Sequence, residues 1–137
     1  MSCHRIRLRG PWNLVVHDQE AQSEQRVSVP DSWQNLLGTT RGVICLSRRF
    51  NCPTRLGDDD QVCLVLSPIP FETVRLLLNE QEIVLKSALS EAIRFDVTQL
   101  LQPNNRFVME LTIPEDRLQS DYGDFEGVTI EIQSQDD

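Results

Sequence analysis

Apolar residues recur at every second position over short segments of this chain, a spacing that demands extended backbone. Phe107, Met109, Leu111 and Ile113 alternate with Val108, Glu110 and Thr112 until Pro114 ends the run. Val128, Ile130 and Ile132 alternate with Thr129, Glu131 and Gln133, and Trp12, Leu14 and Val16 bracket Asn13 and Val15. Successive side chains leave opposite faces of a strand, so such a segment buries one face and wets the other. Two segments are apolar on both faces: 62–66, through Cys63 and Val65, and 74–78, through Leu77. Those mark central strands. Ile44, Leu46 and Phe50 continue the theme. Gly57-Asp58-Asp59-Asp60 and Pro103-Asn104-Asn105 supply turn chemistry between segments, and Ser67-Pro68-Ile69-Pro70 predicts a rigid extended crossing. No amphipathic pattern exceeds two helical turns. One turn is expected at 97–101, capped by Asp96 or Thr98, and another within 31–39. The pattern predicts an all-β fold, a β-sandwich of two antiparallel sheets.

At 137 residues the chain reads as one domain, 1–137, able to bury roughly two thirds of its unfolded surface. Apolar residues form 39% and charged residues 25%, as in ordinary globular proteins, and no apolar run approaches the ~20 residues of a membrane helix. The basic N-terminus lacks a following apolar stretch, so no secretory signal is read and a cytoplasmic location is expected. A net charge of -8 argues against nucleic acid and against anionic membrane surfaces. Basic residues nevertheless cluster at Arg5, Arg7 and Arg9 and at Arg48 and Arg49, where a local anion site competes with a solvated strand face. Cys3, Cys45, Cys52 and Cys63 show no CxxC pairing and no histidine at metal-ligand spacing, and read as reduced thiols.

In Leu8-Arg9-Gly10-Pro11-Trp12 a Gly is followed closely by Trp, and Val29-Pro30-Asp31-Ser32-Trp33 is similar to Val-Pro-Gly-Ser-Trp with Asp31 for glycine. Arg48, Phe50 and Pro53 fall in step with a Tyr-Arg-Arg-x-Phe strand, and residues 74–79 with a strand ending in Val-Asn-Gly. Phe95-Asp96-Val97-Thr98 with Leu101 and Asn105 matches Phe-Asp-Val-Thr-x-x-Leu…Asn. In this order the motifs resemble the N-terminal sugar-binding domain of the β-galactosidase/β-glucuronidase glycoside hydrolase family, with 8–12 looking like its opening strand. The resemblance spans about residues 8–113 and implies a galactose-binding-like jelly roll, here free-standing. Departures concentrate in three places: Leu46-Ser47 replaces Tyr-Arg, Asn79-Glu80 replaces Asn-Gly, and a loop at 85–91 replaces the family's His and Gly-Gly-Tyr run. The framework is kept, and the part that would face a catalytic barrel is rewritten.

Sugars bind on aromatic faces flanked by planar polar groups. Phe50, Phe95 and Phe107 lie on apolar strand faces, and Trp12 and Trp33 belong to the fold signature, so all five are expected to pack. Tyr122 and Phe125, with Asp121 and Asp124, are the candidate ligand-binding residues of an exposed loop, against the plainer reading of aromatics tucked onto the sandwich edge. Asp121, Asp124 and Glu126 are also weak candidates for a structural Ca²⁺, which needs six to eight oxygens; no other cofactor is expected. Asp58, Asp59 and Asp60 read as a solvated turn. No glycosidase carboxylate pair sits in a recognised context. His4, in a frayed N-terminus, and His17, at a strand end, have no evident Ser or Cys partner. The expectation is a non-catalytic binding module for a saccharide, with a protein-docking subunit using a sheet edge or the Arg48/Arg49 face, or a split accessory component of a glycoside hydrolase, as alternatives. Oligomeric state is left open.

Overall fold

A computed structural model describes residues 2–17, 22–37, 42–54, 56–71, 73–86, 91–113 and 123–134. In order these form β1 (Ser2–Arg7), β2 (Trp12–His17), β3 (Gln22–Val27), β4 (Asp31–Ser32), α1 (Trp33–Leu37), β5 (Gly42–Asn51), β6 (Gln61–Leu66), β7 (Thr73–Leu78), β8 (Gln81–Lys86), β9 (Ile93–Asp96), a 3₁₀ turn (Thr98–Leu100), β10 (Asn104–Ile113), β11 (Asp124–Phe125) and β12 (Val128–Ser134). Four strands make one sheet, in the order β1-β12-β6-β9, and six make the other, β3-β2-β5-β10-β7-β8. All their ladders are antiparallel. The expected all-β sandwich is therefore observed, with a two-stranded ribbon β4–β11 added at one end.

Alternation decides what each strand buries. Trp12 and Leu14, Ile44 and Leu46, Leu76 and Leu78, and Phe107, Met109, Leu111 and Ile113 point inward from the six-stranded sheet; Val62, Leu64, Leu66, Val128 and Ile130 answer them from the four-stranded one. Both tryptophans are fully buried, and Trp12 Nε1 donates to the Leu8 carbonyl at 2.8 Å. Gly10 sits where a Cβ would lie 2.8 Å from Ser28 Cα, so glycine is required for the crossing that brings Leu8 and Trp12 together.

Four expectations need local correction. Leu8 to Pro11 connect β1 to β2 rather than forming the opening strand, because β1 itself pairs with β12. That pairing also places His4 in a strand, opposite Ile132, not in a frayed end. Asn104 and Asn105 start β10 instead of continuing the turn. Residues 85 and 86, read as loop, continue β8 because they pair with Arg75 and Val74 of β7 beyond a register shift between Leu76 and Leu77, while 87–90 lie outside the described residues. The two expected turns are present: α1 occupies part of 31–39, and Asp96 Oδ1 accepts from the Thr98 N–H at 3.0 Å to start the 3₁₀ turn. No helix among the described residues is long and apolar enough to cross a membrane.

Candidate functional site

The loop expected to bind ligand divides. Asp121 and Tyr122 lie outside the described residues. Asp124 and Phe125 form β11, and the pleat sends them to opposite faces. Phe125 is fully buried, so its reading as a ligand-facing aromatic is corrected: it stacks on Trp33 with centroids 4.7 Å apart, and Trp33 meets Phe71 edge-on. Asp124 and Glu126 stay exposed and join Asp31, Ser32 and Asn35 around a shallow acidic cleft of about 380 Å³. Much of that polarity is spent locally. Asp31 Oδ1 accepts from the Ser32 N–H at 2.7 Å and from Asn35 Nδ2 at 3.1 Å, while Ser32 Oγ accepts from the Asn35 N–H and caps α1. Among the described residues no three His, Cys, Asp or Glu side chains are grouped to hold a metal ion.

His17, expected to lack a partner, lies with Nε2 3.5 Å from Cys45 Sγ across the β2–β5 pair. Register was the missing information, since 28 residues separate them. Desolvation, and then the Glu110 charge, push the Cys45 thiol up, against a smaller opposing effect of Arg106. A thiol held protonated is the reverse of an activated nucleophile.

A denser polar surface occupies one end of the six-stranded sheet's outer face. Arg49 on β5 stands directly opposite Arg106 on β10. Beside them Arg26 on β3 faces Asn13 on β2, which in turn faces Ser47 on β5. All five leave the outer face because their neighbours Leu14, Leu46, Phe50 and Phe107 point into the core. Arg26, Arg49 and Arg106 make no ion pair with any carboxylate among the described residues. Arg48 is held differently. Its Nε donates to the Arg9 carbonyl and its Nη1 to the Arg49 carbonyl at 3.0 Å, and partial burial lowers its pKa without threatening its charge.

Two clefts share the Arg49–Arg106 pair. One, of about 390 Å³, is lined by Asn13, Arg26, Ser47 and Arg48 as well; the other, of about 320 Å³, by Asn79, Glu80, Gln102, Asn104 and Asn105. The floor of the second is structural. Asn79 Nδ2 donates to the Leu100 carbonyl at 3.0 Å and to Asn105 Oδ1 at 2.9 Å, and its Oδ1 accepts from the Arg106 N–H at 2.9 Å. Asn105, 1% exposed, exchanges two hydrogen bonds with the Gln102 backbone, both 2.8 Å. This network leaves the side chains of Gln102 and Asn104 uncommitted among the described residues, above a rigid base. Asn79 and Glu80 close the β7–β8 hairpin at φ of 52° and 72°, which explains why glycine is common at the second of these positions.

Sequence reasoning found Arg48 and Arg49 but missed Arg26 and Arg106, each isolated between unlike neighbours. Alternation alone put Arg106 outward; only strand pairing put it against Arg49.

The fold recurs in β-glucuronidases. A Faecalibacterium prausnitzii FMN-binding β-glucuronidase superposes with a TM-score of 0.72 at 18% identity, covering 95% of this chain and 22% of that one. β-Glucuronidases from an uncultured Clostridium species and from Ruminococcus gnavus give 0.72 at 15% and 0.72 at 12% identity, each covering 97% of this chain and 29% and 28% of theirs. The chain thus spans under a third of the length of these proteins and has the fold of one of their domains. No family model matches the sequence, and no curated protein sequence matches it.

Proposed function

We propose that this domain is a non-catalytic binding module of the glycoside hydrolase type, and that its ligand face is the polar end of the six-stranded sheet rather than the 121–126 loop. The observation that carries the reading is the pair of adjoining clefts sharing Arg49 and Arg106, with uncommitted side chains over a hydrogen-bonded floor. Preorganised polar groups of this kind suit hydroxyl-rich ligands, because little ordering cost remains at binding. The fold shared with β-glucuronidases supports a saccharide as the class of ligand. Calorimetric titration against a panel of neutral and charged saccharides tests it. Saturable binding that weakens in Gln102→Ala and Asn104→Ala is expected; no binding across the panel would sink the saccharide reading. Glycosidase assays on the purified chain are expected to show no turnover, and robust turnover would overturn the non-catalytic role.

A second reading, an accessory component working beside a glycoside hydrolase's catalytic part, is favoured by the coverage, since the matching domain is 22–31% of the β-glucuronidase chains. It predicts association with a catalytic chain, measurable by co-elution.

A further inference from the structure

We infer that the cleft between Arg26, Arg49 and Arg106 is an oxyanion site for a small ligand carrying a sulfate or phosphate group. The inference rests on the reading of this sheet end as the ligand face and adds the charge of what binds there. The chain carries a net charge of -8, yet four guanidiniums, counting Arg48, surround one cleft of about 390 Å³. Arg49 and Arg106 are directly opposed across a β-ladder, a placement in which like charges repel. Acidic side chains nearby in the sheet do not relieve it. Glu24, two positions along β3 from Arg26, forms no ion pair with it, Glu110 on β10 is paired with Arg75, and Glu80 lines the neighbouring cleft.

The geometry of the donors selects the class of anion. Arg26, Arg49 and Arg106 come from three different strands and line one cleft, so three separate forks border the same volume. A planar carboxylate serves two arginines, as Glu131 does with Arg5 and Arg94; a tetrahedral oxyanion, with three or four acceptor oxygens and up to two charges, can engage all three of these. Asn13 and Ser47 add an amide and a hydroxyl donor from the floor, where Ser47 is 9% exposed although it faces outward. Its burial beneath the arginines lowers the local dielectric and strengthens each contact. Volume is consistent with a small ligand, at the lower end of the range for such sites.

Isothermal titration calorimetry on the full chain tests the inference, with inorganic sulfate, inorganic phosphate, glucose 6-sulfate, glucose 6-phosphate and glucose as probes. Sulfate also stabilises proteins non-specifically, so the decisive readout is the contrast between variants. Saturable binding of the anionic probes is expected, weakening as sodium chloride is added and falling by about tenfold or more in R49Q/R106Q and in R26Q. The R94Q variant, altered on the other sheet, is expected to bind as the parent does. Equal affinity for the sulfate and phosphate esters supports the class as a whole, and tighter binding of one supports it while naming the oxyanion preferred. Unchanged anion binding in R49Q/R106Q, or none by the parent chain, overturns the inference. Should glucose bind as tightly as its esters, the binding-module reading stands and the oxyanion site falls. Binding of inorganic anions with the same arginine dependence, but of no saccharide in any form, leaves the oxyanion site standing and removes the saccharide reading.

Discussion

The two outer faces of this sandwich use the same residue type for opposite ends. On the four-stranded sheet, Arg5 and Arg94 flank the buried carboxylate of Glu131: Arg5 Nε donates to Oε2 at 2.8 Å, and Arg94 Nη1 lies 2.6 Å from Oε1. The second contact is an ion pair and not a hydrogen bond, so Oε1 is held by charge. Glu131 in turn raises the Arg5 pKa, by its hydrogen bond first and its charge second. On the six-stranded sheet Arg26, Arg49 and Arg106 gather with no carboxylate among the described residues between them. One arrangement closes on itself, whereas the other leaves its donors directed outward. An arginine cluster therefore speaks of ligand only where the described residues supply no counter-charge.

The largest expected effect falls on the closed cluster. Glu131→Ala removes the carboxylate that both arginines share and is expected to lower stability by about 1–3 kcal/mol, measured by urea unfolding. The exposed Arg5 and Arg94 can turn to water, which keeps the loss below that of a fully buried pair. A loss no larger than that of an ordinary surface substitution would mean the cluster is not held together as drawn.

On the open face the sign reverses. Arg106→Glu puts a carboxylate opposite Arg49, replaces repulsion by a cross-strand pair, and is expected to stabilise the domain by roughly 0.2–1 kcal/mol at low salt. The gain should shrink as ionic strength rises, because both side chains are exposed. A destabilised Arg106→Glu would show that the arginines are already neutralised, and the contrast between the faces would collapse.

How much of this was legible beforehand follows from what alternation can and cannot encode. The run at 107–113 and the two-sided segment at 62–66 revealed strands and their buried faces, because side-chain direction is fixed by position along a strand. The Val29–Trp33 and Phe95–Thr98 motifs pointed to the sandwich itself, and both proved architectural: Trp33 packs on Phe71 and Phe125, and Asp96 starts a 3₁₀ turn. Phe125 was misread because Asp-Phe-Glu among polar residues looks like a solvated loop, while a two-residue pairing with β4 is enough to bury every second side chain. Register was invisible. Nothing local tells that Arg106 opposes Arg49, that His17 touches Cys45, or that Arg5 and Arg94 reach one carboxylate.

The smallest expected effect tests whether the four-stranded face commits its charges as thoroughly at its edge. Asp96 accepts from Thr98 Oγ1 at 2.6 Å, from Gln61 Nε2 at 2.8 Å and from the Thr98 N–H at 3.0 Å. These bonds, the Thr98 side chain's foremost, hold its carboxyl below its ordinary 3.8. A depressed folded pKa contributes stability that is complete above the unfolded value and disappears as pH falls through the folded one. The parent chain should therefore exceed Asp96→Asn in stability by a small margin at pH 7, and the margin should narrow below pH ~4 as the carboxyl is protonated. Chemical unfolding of both proteins between pH 7 and 3 measures it. A margin that stays constant with pH would mean that the ionised form gains nothing from Thr98 and Gln61, and that this edge, like the arginine face opposite, leaves its charge unspent.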